Sequence, residues 1–381
     1  MHGEPADDDS FAAIEEALWA APPHELIKIA TGLLDRRGIG AEVLLIDYRQ
    51  AFLVRSGPGE QDVPVDNTAP GRAFAAQRAV REEDAVHLPL TVRGERLGVL
   101  TVRPPDGGPP WLDGFAPVLA RALKIADQGT DLYRRIRRRT RLTLAAEMQW
   151  DLLPAPSYQS AEFRFAGQLE PAYAVWGDNF DWAVSGERLT LTVSNGMGSG
   201  TDAAALTHLA ISALRNARRS GADIAEQAAL GDQALYARHR GEQHVATLLM
   251  DFDLGTGRVG VVDAGSPRIL RMRGGVTEGI GFDAQMPLGM FGDTRYTTEE
   301  FTVERSDRLV IISDGIHAAL SPSGAAYGDS ALLQALRATR LQDPPEAVRT
   351  IIRHFVEYHG DSAPADDAVV VCVDWIGRDG G

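Results

Sequence analysis

The chain has a single cysteine in 381 residues, no apolar stretch of the length that spans a bilayer, and no internal repeat or low-complexity tract. One cysteine excludes an intramolecular disulfide framework and a cysteine-built zinc site. Cys372 itself lies in the run Ala368-Val369-Val370-Val371-Cys372-Val373 and reads as a buried strand residue, compatible with a reducing cytoplasm. A membrane span needs about 18–20 consecutive apolar residues, and the acidic segment from Met1 to Asp9 has no cationic-then-apolar leader pattern, so a soluble, cytoplasmic protein is expected. Excess positive charge is also lacking. The 38 basic and 53 acidic side chains leave a net charge of −15, which disfavours nucleic acid and anionic membrane and favours divalent cations as partners.

Hydrophobic residues make up 44% of the chain and charged residues 24%, the composition of a folded globular protein, and the length calls for two domains. The reading divides it into a tail (1–20), a sensor-like domain (21–128), a connecting helix (129–153) and a second domain (154–377). Phe11–Ala20 and His24–Arg36 carry apolar residues at helical spacing. Strands are expected at 41–47, 51–54, 85–92 and 97–103, with helices at 72–80 and 111–128. This α+β order, ending in the hairpin Leu88-Pro-Leu-Thr-Val-Arg-Gly-Glu-Arg-Leu-Gly-Val-Leu, resembles a GAF sensor domain, whose ligand the residues do not identify.

Between Asp131 and Leu153, Leu132, Ile136, Thr143 and Trp150 recur near heptad spacing with no Gly or Pro before Pro154, which predicts a connecting helix and a homodimer seam along it. Six arginines crowd Arg134 to Arg141, and solvent faces flanking such a seam account for them better than a nucleic-acid contact does. From Ala161 onward, strands are expected at 189–194, 245–252, 258–262, 308–313 and 368–373, and helices at 202–220, 222–240, 330–341 and 345–359. Together they predict antiparallel sheets flanked by helices, an αββα sandwich.

Acidic or near-acidic residues sit where the expected strands meet turns: Asp178 in Trp176-Gly-Asp-Asn-Phe-Asp181, Asn195-Gly196 at the head of Gly-Met-Gly-Ser-Gly200, Asp314 in Ser313-Asp-Gly315, and Asp366 in Asp366-Asp-Ala368. Oxygen ligands at adjacent strand ends suit a hard cation such as Mn²⁺ or Mg²⁺, and glycines let a backbone carbonyl come close. Each motif alone is also an ordinary turn. In order, Gly-Asp-x-Phe-Asp, Gly-Met-Gly-x-Gly, Thr247-Leu-Leu, Asp263-Ala-Gly-Ser-Pro267, Pro287-Leu-Gly, Ser-Asp-Gly and Asp-Asp-Ala-Val-Val-Val resemble the SpoIIE-type branch of the PPM (protein phosphatase 2C-like) family across Leu152–Trp375.

That resemblance implies a phosphoprotein phosphatase with two metal ions, in which Asp178, Asn195, the Gly196 carbonyl, Asp314 and Asp366 occupy the metal-binding positions. No side chain acts as a covalent nucleophile, and a metal-activated water attacks phosphorus. The implied substrate is a phosphorylated STAS-type anti-sigma-factor antagonist. Three positions depart from the family pattern. Asn195 stands where a bridging carboxylate is usual, Trp176 where a small residue is usual, and Ser266 where histidine is common. A neutral amide cannot offset the repulsion between two divalent ions, so one ion or none is the expectation, with a phosphoprotein-binding pseudophosphatase as the rival reading. Asp181, Asp202, Asp263 and Asp367 read as structural. His208, His239, His244 and His317 have no zinc-site or triad spacing, and Ser313 has no evident base.

Overall fold

Alternation along β1 shows how the first domain is built. In the computed structural model, which describes residues 11–57, 61–105, 109–139, 141–171, 175–265, 267–322, 324–328, 330–360 and 366–378, the strand Gly40–Ile46 (β1) sends Val43 and Leu45 to one face and Leu44 and Ile46 to the other. Both sets are buried, so this sheet must be covered on both sides. β1 lies in an antiparallel six-stranded sheet of order β3-β2-β1-β6-β5-β4, with β2 Phe52–Arg55, β3 Val63–Pro64, β4 Val80–Arg81, β5 Val86–Val92 and β6 Glu95–Arg103. One face is covered by α1 (Phe11–Ala20), α2 (Leu26–Asp35) and α4 (Leu112–Ala126), which bury Leu18, Leu34, Phe115 and Leu119. The other is covered by α3 (Ala69–Ala76), whose Phe74 packs on Leu44, Ile46, Leu53 and Val99.

Two expectations change here. Residues 11–20 are not tail, because Ile14 and Leu18, one turn apart, are buried in the first domain's core; residues 1–10 lie outside the described part. Expected from residue 72, α3 starts at Ala69, because the Thr68 hydroxyl accepts the Gly71 N–H and Pro70 fits a first turn; it ends at Gln77, which is left-handed at φ 52°.

The connecting helix 129–153 is also corrected, to two short helices. After α5 (Leu132–Arg137), Arg138 turns extended, and α6 (Leu144–Leu152) begins afresh with the Thr143 hydroxyl accepting the Ala146 N–H. The chain divides into compact units at 1–141 and 142–381, so α6 belongs to the second unit. Leu132 and Ile136 pack against the first unit's core, and Trp150 packs against a cluster containing Val175 and Ala204 in the second. The apolar residues read as one seam therefore find partners within their own units. Of the arginine run, Arg137 donates to the Ile46 carbonyl at 2.9 Å and lies over Tyr48, while Arg139 stacks 3.5 Å from the Phe52 ring centre and pairs with Asp62 at 2.8 Å.

The second unit continues with β7 (Ser157–Gln159), β8 (Phe163–Glu170), β9 (Asn179–Ser185), β10 (Arg188–Asn195), α7 (Gly200–Arg219), α8 (Ile224–His239), β11 (Ala246–Asp253) and β12 (Arg258–Ala264). Then come β13 (Arg268–Arg273), β14 (Val276–Ile280), β15 (Glu299–Thr302), β16 (Arg308–Ile312), α9 (Asp314–His317), α10 (Ala331–Ala338), α11 (Pro344–His359) and β17 (Ala368–Trp375). Two antiparallel sheets result, β15-β12-β11-β10-β9 and β14-β13-β16-β17-β8-β7.

Period-two burial assigns the faces. Leu189, Leu191 and Val193 of β10 meet Val369, Val371 and Val373 of β17 in the core between the sheets. Leu249 and Val262 face outward to Leu206, Leu214 and Leu235 of α7 and α8. Val310, Val370 and Cys372 face Leu336, Val348, Ile351 and Phe355 of α10 and α11. This is the αββα sandwich. Asp223 and Asp343 cap α8 and α11 by accepting the N–H three residues on. No helix among the described residues is long and apolar enough to cross a membrane.

Candidate metal centre

The sandwich brings the ends of β10 and β16 and the starts of β9 and β17 to one edge. Asp178 occupies the turn before β9, Asn195 ends β10 with Gly196 next, Asp314 opens α9 directly after β16, and Asp366 precedes β17. All five sequence-predicted positions thus meet at one end of the domain. Asp178 is only 2% exposed, and burial holds its carboxyl well above the usual carboxylate range; Asp366, Asp367 and Asp314 add to this, against a hydrogen bond with Ser313. Asp366 is pushed up to about 6, first by burial and then by Asp314 and Asp367, with the Asp367 N–H opposing. Among the described residues no arginine or lysine pairs with Asp178, Asp314 or Asp366.

Two buried oxygens, Oδ2 of Asp178 and Oδ1 of Asn195, have no hydrogen-bond partner. The other end of the Asn195 amide is engaged: its NH₂ donates to Asp314 Oδ1, the orientation that a neighbouring carboxylate dictates. Unpartnered buried oxygens are costly unless a donor or cation faces them, and the donor set Asp178, Asp314 and Asp366 suits a hard cation. Asn195 contributes one neutral oxygen, and its NH₂ occupies one oxygen of Asp314. As they stand, no three His, Cys, Asp or Glu side chains among the described residues are gathered closely enough to enclose an ion.

The turn carrying Asp178 is fixed from behind. Asp367, fully buried, accepts the N–H groups of Trp176 (2.8 Å) and Gly177 (3.0 Å) and the amide of Gln149 (2.8 Å). The same Gln149 nitrogen reaches the Asp178 carbonyl at 2.8 Å. Thr207 Oγ1 donates to the Gly177 carbonyl at 2.6 Å, and the Gly196 N–H reaches that carbonyl at 3.2 Å. This closeness requires both glycines. Gly177 has φ +94°, and a Cβ on Gly196 would lie 2.6 Å from Thr207 Oγ1.

The structural reading of Asp367 takes a specific form: it is a buried acceptor for three donors. Nothing in the sequence marks Gln149 or Thr207, because their partners lie 29 or more residues away. The structural readings of Asp181 and Asp263 hold in form. Asp181 binds Arg215 at 2.8 Å and Arg218 at 2.9 Å, pinning α7 to its sheet, and Asp263 accepts the Gly265 N–H. Asp202 sits exposed in the first turn of α7. Ser313 Oγ accepts the Val369 N–H, a joint between strands. His317 contacts Arg268 at 2.5 Å, and Ser266 lies outside the described residues. Trp176 and Met197, 36% and 44% exposed, flank Asp178 and Asn195 in sequence.

Residues 185–376 match the family described as Stage II sporulation protein E (SpoIIE). The chain belongs to the SpoIIE family. Its fold is similar to that of the RsbU and RsbW domains of Rv1364c from Mycobacterium tuberculosis, at 18% identity and TM-score 0.50 over 57% of this chain and 63% of that one. Similarity extends to the PP2C phosphatase domain and regulatory fragment of SpoIIE from Bacillus subtilis (20% identity, 58% and 66% of the two chains, TM-score 0.49). It extends as well to the SiaA-PP2C domain of Pseudomonas aeruginosa (20%, 56% and 86%, TM-score 0.49). The chain thus spans just under two thirds of the first two structures. No curated protein matches it in sequence.

Proposed function

We propose that this SpoIIE-family chain is a metal-dependent phosphoprotein phosphatase that removes phosphate from phosphoserine or phosphothreonine. The observation that carries this reading is the convergence of Asp178, Asp314 and Asp366 with the unpartnered oxygens of Asp178 and Asn195. Asp178, Asp314, Asp366 and Asn195 Oδ1 would hold one Mn²⁺ or Mg²⁺, with the Gly196 carbonyl available on the same loop. Such an ion supplies charge neutralisation for the phosphoryl oxygens and lowers the pKa of bound water. The protein's own part is to hold the Asp178 turn rigid through Asp367, Gln149 and Thr207, and to receive the side chain next to the phosphoresidue on the exposed Trp176 and Met197, two residues from Asp178 and Asn195 respectively. Family resemblance makes a STAS-type anti-sigma-factor antagonist the substrate class.

The first unit acts in this reading as a GAF-like sensor of an unidentified ligand. Support comes from its helix-flanked antiparallel sheet and from α6, which follows that unit in the chain and carries Gln149 to the Asp178 turn. Manganese-stimulated hydrolysis of a phosphomonoester, lost in Asp314→Ala, is the expected result; metal-saturated protein with no turnover above blank would refute it. The Asn195–Asp314 contact favours a second reading, a phosphoprotein-binding pseudophosphatase. If Asn195→Asp raises activity from near zero by about 100-fold or more, equivalent to roughly 2.7 kcal/mol, the natural chain is the binder.

A further inference from the structure

At the opposite end of the same strands the charge pattern inverts. β16 and β17 lead away from Asp314 and Asp366 to a cavity of about 550 Å³, lined by Arg164, Arg305, Arg308 and Arg340 together with Asp307 and Asp374. In a chain of net charge −15, four guanidinium groups around one cavity are a local reversal. The two carboxylates do not balance them. Asp307 is taken by Arg273, from outside the lining, at 2.7 and 2.6 Å.

Asp374 is taken by Arg308 at 2.6 and 2.7 Å, and Arg308 is held further by the carbonyls of Thr339 and Gln342. Arg164 stands directly across the β8–β17 ladder from Asp374, yet Arg308, opposite Asp374 on the other side, already occupies that carboxylate. The side chains of Arg164 and Arg340 have no hydrogen-bond or ion-pair partner among the described residues, whereas Arg305 gives its Nε to the Ile376 carbonyl and is engaged elsewhere as well. With Asp307 taken by Arg273 and Asp374 by Arg308, the guanidinium groups of Arg164 and Arg340 remain in the lining with no carboxylate to balance them.

We propose that this cavity binds a small anion bearing more than one phosphate charge. Arg308, immobilised by four hydrogen bonds, forms the fixed wall, and Arg164 and Arg340 close on the ligand with their unused forks. A monocarboxylate would balance one charge of the surplus, whereas a pyrophosphate-type group balances it more fully. The volume falls in the range of small-molecule sites, roughly 300–1,000 Å³.

The test is calorimetric titration of pyrophosphate, ATP and citrate into the full chain in EDTA, which keeps divalent ions from recruiting phosphate to the carboxylate end. Pyrophosphate or ATP is expected to bind, and the double variant Arg164→Ala/Arg340→Ala to bind about tenfold more weakly or worse, with its thermal unfolding unchanged because both side chains are exposed and unpartnered. Asp314→Ala should leave the affinity as it was, so that failure here and failure of the phosphatase reading are distinguishable. Absence of binding by the parent protein, equal binding by the double variant, or tighter binding of citrate than of pyrophosphate would overturn the proposal.

Discussion

The two ends of the sandwich treat charge in opposite ways. At the Arg308 end, opposite charges meet in fixed geometry, Arg308 with Asp374 and Arg273 with Asp307, and Arg164 and Arg340 stand beside these pairs as a cationic surplus. At the Asp178 end, carboxyls gather around a buried Asp178, and the partner that Asp314 finds is the amide of Asn195. A fold keeps pairs of the first kind for structure. It keeps unbalanced groups of the second kind only where a ligand completes them, since they cost stability in its absence.

The largest expected effect follows from the paired end. Arg308→Ala strips a bidentate partner from Asp374 and two carbonyls at once, and should cost about 3–5 kcal/mol in chemical denaturation. A loss below about 1 kcal/mol would show that this end is not structural. Asp367→Ala comes next, at about 2–3 kcal/mol, because the Gln149 amide and the N–H groups of Trp176 and Gly177 lose their acceptor. Asp367→Asn retains one acceptor oxygen and should recover part of that loss.

At the unbalanced end the sign itself should depend on cation. Without metal, Asn195→Asp replaces a hydrogen bond to Asp314 by repulsion and should destabilise by about 1–2 kcal/mol; with Mn²⁺ it should stabilise instead. Thermal shifts of equal sign in EDTA and in Mn²⁺ would contradict this. The pH dependence runs the same way. Asp366 has its folded pKa raised to about 6, so its protonated form is the one the fold favours, and its contribution to stability is lost as pH rises from about 4 through 6. In metal-free protein, Asp366→Asn should therefore gain stability relative to the parent as pH rises across that window. A constant difference in urea midpoint would count against the shift.

The smallest effect is expected at the rim. Trp176→Ala should raise KM for a phosphoprotein while leaving hydrolysis of a small phosphomonoester unchanged, and parallel losses on both would remove the docking role.

What could be read from the sequence follows the same division. Asp178, Asn195, Asp314 and Asp366 each sit in a turn with its own local signature, and runs rich in Val, Ile, Leu and Thr made β10, β11, β12, β16 and β17 legible, whereas β8, β9 and β13 were not read as strands. The short or exposed strands β7, β14 and β15 carry little such pattern and were not either. Heptad-like spacing from Leu132 to Trp150 suggested one helix because spacing does not say which core each residue joins; Arg138 turning extended and Thr143 capping a new helix divide it. Gln149 and the four cavity arginines have no local signature at all. Strand register and helix packing bring Arg164 and Arg340 to the neighbouring pair Arg305 and Arg308 from positions far away in the chain.

Calorimetric titration of Mn²⁺ bears most directly on whether Asn195 limits the acidic end to one ion. One site in the parent chain, two in Asn195→Asp and none in the Asp314→Ala/Asp366→Ala double variant are predicted. Two sites in the parent, or binding that survives loss of both aspartates, would contradict the assignment.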